Sequence, residues 1–121
     1  MMEDHHNIDI SVFHQICEVN ELDPQVITAE AQERFPEKFK TGLNAERLIW
    51  SALDHRARAL IASIDQGYTF KGDKGAYTID GDPAAPSFVI NEENIRSQYP
   101  PEKAAGIIDA LDHQVKLPVR A

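Results

Sequence analysis

Residues 44–66 read NAERLIWSALDHRARALIASIDQ and contain neither glycine nor proline. Asn44 is a residue type that caps helix N-termini, and Gly67 is the type that most often follows a helix C-terminus. The stretch therefore predicts one helix of about six turns, from Asn44 to Gln66. We expect the rest of the chain to be organised around it.

The apolar face of this predicted helix is very wide. On a helical wheel the apolar and small residues fill roughly 220°, whereas a surface helix needs a stripe of about 100°. We therefore expect the helix to be central and packed on two sides, either within one fold or against a second chain. The narrow remaining strip is mixed in charge, and we expect the side chains of Asp54 and His55 on it to be solvated. It holds Arg47, Ser51, Asp54, His55, Arg58, Ala62 and Asp65.

Two of these strip residues, Asp54 and Arg58, are four positions apart with the acid first. This is the favourable order for an ion pair on a helix surface.

The residues after the helix predict strands. Tyr68 to Asp80 predicts a β-hairpin around the loop Gly72-Asp73-Lys74-Gly75, which would pair Phe70 with Tyr77. This register places large side chains on one face and threonines on the other, so one face belongs to the core. Further on, residues 87–90 predict a third antiparallel strand.

Helices are predicted on both sides of this central part. Asp9 can cap a first helix that runs to about Leu22, and Asp23-Pro24 can open a second helix that must stop near Phe35. Asn91 can cap a short helical turn, and a last helix runs from about Pro101 to Val115. The predicted fold is α+β, with three N-terminal helices, a β-hairpin, a probable third strand and a C-terminal helix.

Length and composition limit the class of protein. A chain of 121 residues with 42% hydrophobic residues suits one domain, so we expect residues 9–121 to form it and residues 1–8 to be a disordered tail. No apolar run approaches the ~18 residues that span a bilayer, and the acidic start is unlike a signal peptide. We expect a cytoplasmic protein that does not bind membranes. The single cysteine, Cys17, is expected to be a buried structural thiol.

The net charge of −8 is unevenly distributed. Residues 1–37 carry nine acids against one arginine, and residues 79–121 carry seven acids against four bases. Residues 38–78 carry seven bases against four acids and are the only positive part. Overall acidity argues against binding driven by phosphates, but this basic segment weakens the argument.

No catalytic or cofactor motif is present. The sequence has no glycine-rich nucleotide loop, no GxSxG, no HExxH and no CxxC. His14 and Cys17 are three positions apart, but no second pair follows at the spacing of a metal site. We therefore expect a non-enzymatic protein, with no cofactor, metal or small-molecule substrate.

The wide helix face suggests protein binding. Arg56 lies within the apolar arc, where it needs a carboxylate partner, and Trp50 and Ile61 lie together at the edge of the arc. Arginine and tryptophan on such a face are typical of an interface, although a core tryptophan and an internally paired arginine fit equally well. Our first hypothesis is a small acidic protein-binding module that uses Trp50, Arg56 and Ile61.

The partner in this hypothesis is another protein or a second copy of the chain. The corresponding roles are an adaptor, an immunity-type protein, or an inhibitor of the kind that phages and other mobile elements carry.

The alternative hypothesis is DNA binding. Three helices followed by a hairpin resemble the element order of a winged-helix domain. The resemblance implies that the long helix enters the major groove and that the hairpin reaches phosphates. The basic residues that would contact nucleic acid are Arg47, Arg58, Lys71 and Lys74.

Two observations place this alternative second. The eight-residue connection 36–43 is longer than the turn of a simple helix-turn-helix. Asp54 would also face the phosphates.

Overall fold

The computed structural model describes residues 2–65, 75–82 and 85–117, with side chains described for residues 10–65, 75–79 and 86–117. Within these residues the chain has an α+β fold with five α-helices and one two-stranded antiparallel sheet. The predicted fold class is confirmed, with one helix more than expected. The elements are α1 (Met2–Val19), α2 (Pro24–Arg34), α3 (Ala45–Ile64), β1 (Tyr77–Asp82), β2 (Ala85–Ile90), α4 (Glu92–Gln98) and α5 (Pro101–Gln114).

Helix α3 begins where the sequence predicts. The Asn44 side chain accepts a hydrogen bond from the backbone N–H of Arg47 at 3.0 Å, so the predicted N-cap is confirmed. The helix ends at Ile64 with Asp65 as its C-cap, slightly earlier than expected. The expected end, Gln66 and Gly67, lies outside the described residues.

Helix α3 is the central element, as predicted. It contacts α1, α2, α5 and β1, and these neighbours cover it on more than one side. The polar strip, however, does not face solvent throughout. Ser51 and Asp54 are both 0% exposed, so the prediction of a solvated Asp54 is wrong. The reason is that α2 and β1 pack against this side of α3.

The buried apolar residues form two clusters that meet along α3. The first joins α1 and α2 to the N-terminal half of α3, and the second joins the C-terminal half of α3 to β1, α4 and α5. Partly buried Ile79 and Val115 pack against both clusters. The largest fully buried side chains of the two clusters are Phe13, Ile16, Ile27, Leu48, Leu53, Ile61, Ile95, Ile107 and Leu111.

The other helices follow their predicted caps in part. Asp23 accepts a hydrogen bond from the backbone N–H of Gln25 and caps α2, as predicted. The short turn expected after Asn91 is the helix α4. Helix α1 begins at Met2, so Asp9 lies inside it and the predicted cap is wrong. The division into a tail of residues 1–8 and one domain stays a prediction.

A buried asparagine ties the end of α1 to the segment after α5. The Asn20 amide donates to the backbone oxygen of Lys116 at 2.9 Å, and the Lys116 N–H donates back to Asn20 Oδ1 at 2.8 Å. Asn20 is 1% exposed, so these bonds satisfy a polar group that water does not reach.

The sheet pairs two of the predicted strands. The second arm of the predicted hairpin is β1, and the predicted third strand is part of β2. They pair antiparallel, with Tyr77 opposite Ile90 and Ile79 opposite Phe88. The predicted first arm, residues 68–70, and residues 71–74 of the predicted loop region lie outside the described residues.

None of the helices among the described residues combines the length and the apolar character that crossing a bilayer requires.

The packing predicts that Leu53→Ala strongly destabilises the protein. Leu53 is 0% exposed in the first cluster, and removing a buried leucine side chain costs about 2–5 kcal/mol. Val26→Ala is the control, because Val26 is 55% exposed and should change stability by less than about 0.5 kcal/mol. Urea unfolding followed by circular dichroism measures both. Equal midpoints for Leu53→Ala and the wild type would contradict the central position of α3.

Candidate functional site

A buried carboxylate lies at the middle of α3. Asp54 is 0% exposed and accepts hydrogen bonds from three side chains. The Tyr77 hydroxyl donates to Oδ1 at 2.6 Å, and Arg58 Nε donates to Oδ2 at 2.9 Å. An Arg34 terminal nitrogen also donates to Oδ2, at 3.3 Å. Both oxygens of Asp54 are therefore engaged by donors from α2, α3 and β1.

A second carboxylate extends this network toward the surface. Glu30 on α2 lies 3.7 Å from Arg58 through Oε2 and 3.2 Å from His55 Nδ1 through Oε1. Arg58 thus lies between two acids, Asp54 on its own helix and Glu30 on the neighbouring one. The ion pair that the sequence predicts between Asp54 and Arg58 is confirmed, but it lies against α2 and β1 and not on an open surface.

Local contacts at the start of β1 hold Tyr77 in place. Gly75 has a φ of +75°, a conformation that glycine adopts without strain. Its carbonyl oxygen accepts hydrogen bonds from the side-chain amides of Asn91 at 2.7 Å and Asn94 at 3.0 Å. Two residues later the Tyr77 ring stacks on Phe88, with centroids 5.3 Å apart. These contacts direct the Tyr77 hydroxyl onto Asp54.

Beside Asp54, two arginines and two aromatic rings form what we call the arginine–aromatic cluster: Arg34, Phe35, Arg47 and Trp50. The Phe35 and Trp50 rings meet edge to face, 5.9 Å apart. The Arg47 guanidinium lies 4.6 Å from the Phe35 centroid and 5.2 Å from that of Trp50. Arg34 lies 5.0 Å and 5.9 Å from the same two centroids. All four distances are within the range of cation–π attraction.

The cluster forms one wall of an open cleft of about 410 Å³, which we call the Asp54 cleft. Asp54 and β1 form the remainder, so the cleft lies between α2, α3 and the sheet. This volume is at the lower end of the about 300–1,000 Å³ of ligand clefts. The residues of β1 that line it are Tyr77, Thr78 and Ile79.

The charges around the cleft favour an anion. Among the described residues, three guanidiniums, those of Arg34, Arg47 and Arg58, lie at or beside the cleft with two carboxylates, those of Asp54 and Glu30, so the positive charges exceed the negative ones by one. A local positive excess in a chain of net charge −8 marks this surface off from its surroundings.

The structure does not bring the three predicted interface residues together. Trp50 is half-buried and belongs to the arginine–aromatic cluster. Ile61 is 2% exposed and belongs to the second core cluster. The half-buried Arg56 donates from Nε to the backbone oxygen of Gln114 at 3.4 Å. The carboxylate partner expected for Arg56 is not found among the described residues.

The predicted nucleic-acid residues are also separated. Arg47 stacks on the rings of the cluster, whereas Arg58 is held between Asp54 and Glu30. Lys71 and Lys74 lie outside the described residues.

Sequence reasoning missed Arg34, Phe35 and Tyr77 as members of the site. A signal for Arg34 and Phe35 was present in the sequence. They end a predicted helix just before Pro36, where the chain turns toward α3. No signal in the sequence shows that Tyr77 reaches Asp54, because the two residues are 23 positions apart.

An apolar cleft of about 290 Å³ lies between α1, α2 and the start of α3 and is lined by Phe13, Leu43 and Leu48 among others. The lining residues that the structure describes include no Asp, Glu, Lys or Arg, unlike those of the Asp54 cleft. Cys17 lies in the same core cluster as Phe13 and Leu48. Burial, followed by the charge of Asp23, raises the pKa of its thiol to about 11, so the thiol is protonated at neutral pH.

The chemistry of the Asp54 cleft suits binding. Asp54 accepts hydrogen bonds from three donors, which fix the position of its carboxylate. Among the described residues, no group of three or more His, Cys, Asp or Glu side chains could hold a metal ion.

Comparison of the chain with known protein families, with curated proteins and with solved structures found no match.

Replacing Asp54 by asparagine is expected to destabilise the protein by about 2–4 kcal/mol. Removing one partner of a buried pair costs about 3–5 kcal/mol, and we expect somewhat less because Arg34 and Arg58 are partly exposed. Glu92→Gln is the matched control, because Glu92 also pairs with an arginine four residues on, Arg96, but in solvent. It should cost at most about 0.5 kcal/mol. Urea unfolding compares the two, and equal losses would show that the burial of Asp54 is unimportant.

Proposed function

We propose that the protein is a non-enzymatic protein-binding module whose partner docks on the Asp54 cleft. The observation that carries this proposal is the arginine–aromatic cluster, which places two arginines, a tryptophan and a phenylalanine together in one wall of the cleft. Tryptophan, tyrosine and arginine are the residues that most often dominate the energy of protein interfaces.

The cluster is also suited to binding because it is already ordered. Arg34 is held by Asp54, and Arg47 lies within cation–π distance of both rings, so neither side chain has to lose all of its rotamer freedom when a partner arrives. Ordering a long side chain at an interface costs about 0.5–1.5 kcal/mol. A preformed cluster avoids part of that cost.

This proposal keeps Trp50 as the anchor on the long helix and changes its companions. Arg34, Phe35 and Arg47 take the place that the sequence analysis gave to Arg56 and Ile61, because Ile61 is in the core. The partner is another protein or a second copy, and the roles of adaptor, immunity-type protein or mobile-element inhibitor all fit such a module. A buried thiol and no disulfide suit the cytoplasm, where we propose that it acts.

DNA binding remains the second hypothesis, and the geometry offers it less support. A recognition helix must present donors outward along several turns. The exposed residues of α3 are Glu46, Ala59, Ala62 and Ser63, which include an acid and no base. Arg58 is engaged by two acids, and α3 is covered by four elements.

The proposal predicts that a protein partner depends on Trp50. Immobilised wild type should retain a specific protein from a lysate of its native cells, and Trp50→Ala should weaken the binding of that purified protein at least about tenfold, as expected for a hot spot. Val89→Ala is the control, because Val89 is an exposed apolar residue that does not line the cleft. Calorimetry measures the three affinities, and sedimentation tests a second copy as the partner.

Two results would contradict the proposal. One is a partner that binds Trp50→Ala and the wild type equally. The other is salt-sensitive binding to duplex DNA at low salt with no protein partner, which would favour the second hypothesis.

A further inference from the structure

We propose that the Asp54 cleft recognises a carboxylate of an acidic segment of the partner, and that Arg47 is the residue that binds it. This inference rests on the proposed function and adds the chemical class of the partner.

The contacts of Arg47 leave part of its guanidinium available to a partner. Its guanidinium lies against the Phe35 and Trp50 rings, and no carboxylate of the described residues lies within ion-pair distance of it. Stacking uses the faces of a guanidinium and leaves the N–H groups at its edge available to an acceptor. A carboxylate matches that edge with two parallel hydrogen bonds.

The two guanidiniums of the arginine–aromatic cluster repel each other. Arg34 and Arg47 each lie within 6 Å of the same two ring centroids, so two like charges share one small site. Asp54 neutralises the Arg34 side, and its oxygens are already bonded to Tyr77, Arg58 and Arg34. Arg47 is therefore the guanidinium that an external anion would stabilise most.

The charge distribution of the chain favours an acidic peptide over a phosphate polymer. The local excess is about one charge, and the rest of the chain is strongly acidic, with nine acids in residues 1–37 alone. A polyanion would bring many further negative charges near these acids, whereas a single carboxylate brings one and is repelled far less. The apolar walls formed by Phe35, Trp50 and Ile79 also suit the methylene groups of an acidic side chain and its apolar neighbours.

Trp50 is the only tryptophan of the chain and lies in the cleft, so its fluorescence reports binding there. The probes are two pools of blocked pentapeptides with randomised apolar flanks, one with glutamate and the other with glutamine at the centre. We expect saturable fluorescence changes that are at least about fivefold tighter for the glutamate pool, equivalent to about 1 kcal/mol. A third pool, with a free C-terminal carboxylate and a central glutamine, tests whether the cleft binds the C-terminal carboxylate of a peptide and not a side-chain carboxylate.

The variants Arg47→Gln and Arg47→Lys should each weaken binding of the glutamate pool at least about fivefold. Glutamine removes the charge, whereas lysine keeps the charge but lacks the planar pair of N–H donors that matches a carboxylate. Arg96→Gln is the matched control, because Arg96 is exposed on α4 and does not line the cleft. Amide NMR spectra establish that each variant is folded, and Arg47→Lys keeps the test valid if Arg47→Gln unfolds.

Several results would overturn the inference: no saturable change with either carboxylate-bearing pool, equal affinity for the glutamate and glutamine pools, unchanged binding in both Arg47 variants, or tighter binding of inorganic phosphate. A fluorescence change that occurs without peptide and depends only on protein concentration would overturn the inference, because a second copy of the chain would then occupy the cleft. A protein partner that requires Trp50 but tolerates Arg47→Gln would end this inference and leave the proposed function intact. A partner indifferent to Trp50 would end the proposed function.

Discussion

The burial of one carboxylate constrains the rest of this structure. A charge without water must be paired and hydrogen-bonded, and Asp54 meets this condition only because Arg34, Arg58 and Tyr77 converge on it from α2, α3 and β1. Asp54 also lies on α3 between Leu53 of the first core cluster and Ala57 of the second. The polar network therefore lies where the two apolar clusters meet, and it fixes how α2 and the sheet are placed on the central helix. Non-directional apolar packing alone would specify that placement less sharply.

The same network shapes the cleft. The hydrogen bond to Asp54 holds Arg34 beside Phe35 and Trp50, and Arg47 completes the cluster from the first turns of α3. The interactions that stabilise the fold are thus continuous with those that order the arginine–aromatic cluster, on which we propose that a partner docks. This continuity accounts for the positive excess among the described residues of so acidic a chain: Asp54 and Glu30 are engaged in internal pairs, whereas no carboxylate of these residues lies within ion-pair distance of Arg47.

Local signals in the sequence predicted much of the fold. Asp23 and Asn44 are caps whose side chains do what their residue types suggest, and the Asp54–Arg58 spacing predicted a real ion pair. The width of the apolar arc correctly indicated a central helix. A helical wheel gives the angle of a residue but not its neighbours, so it could not show that Asp54 is buried or that Ile61 is core. Arg34 and Phe35 reach the site from another helix, which only tertiary packing determines.

The most direct test of this account is a double-mutant cycle between Asp54→Ala and Tyr77→Phe, measured by urea unfolding. If the carboxylate holds β1 on α3, removing the Tyr77 hydroxyl should cost about 1.5–3 kcal/mol in the wild type, as for a hydrogen bond to a charged group. It should cost almost nothing once Asp54 is alanine, because the hydroxyl then has no carboxylate to meet. A coupling energy above about 1 kcal/mol is the predicted result. Additive losses, equal within about 0.5 kcal/mol in the two backgrounds, would show that the buried carboxylate does not join the sheet to the central helix.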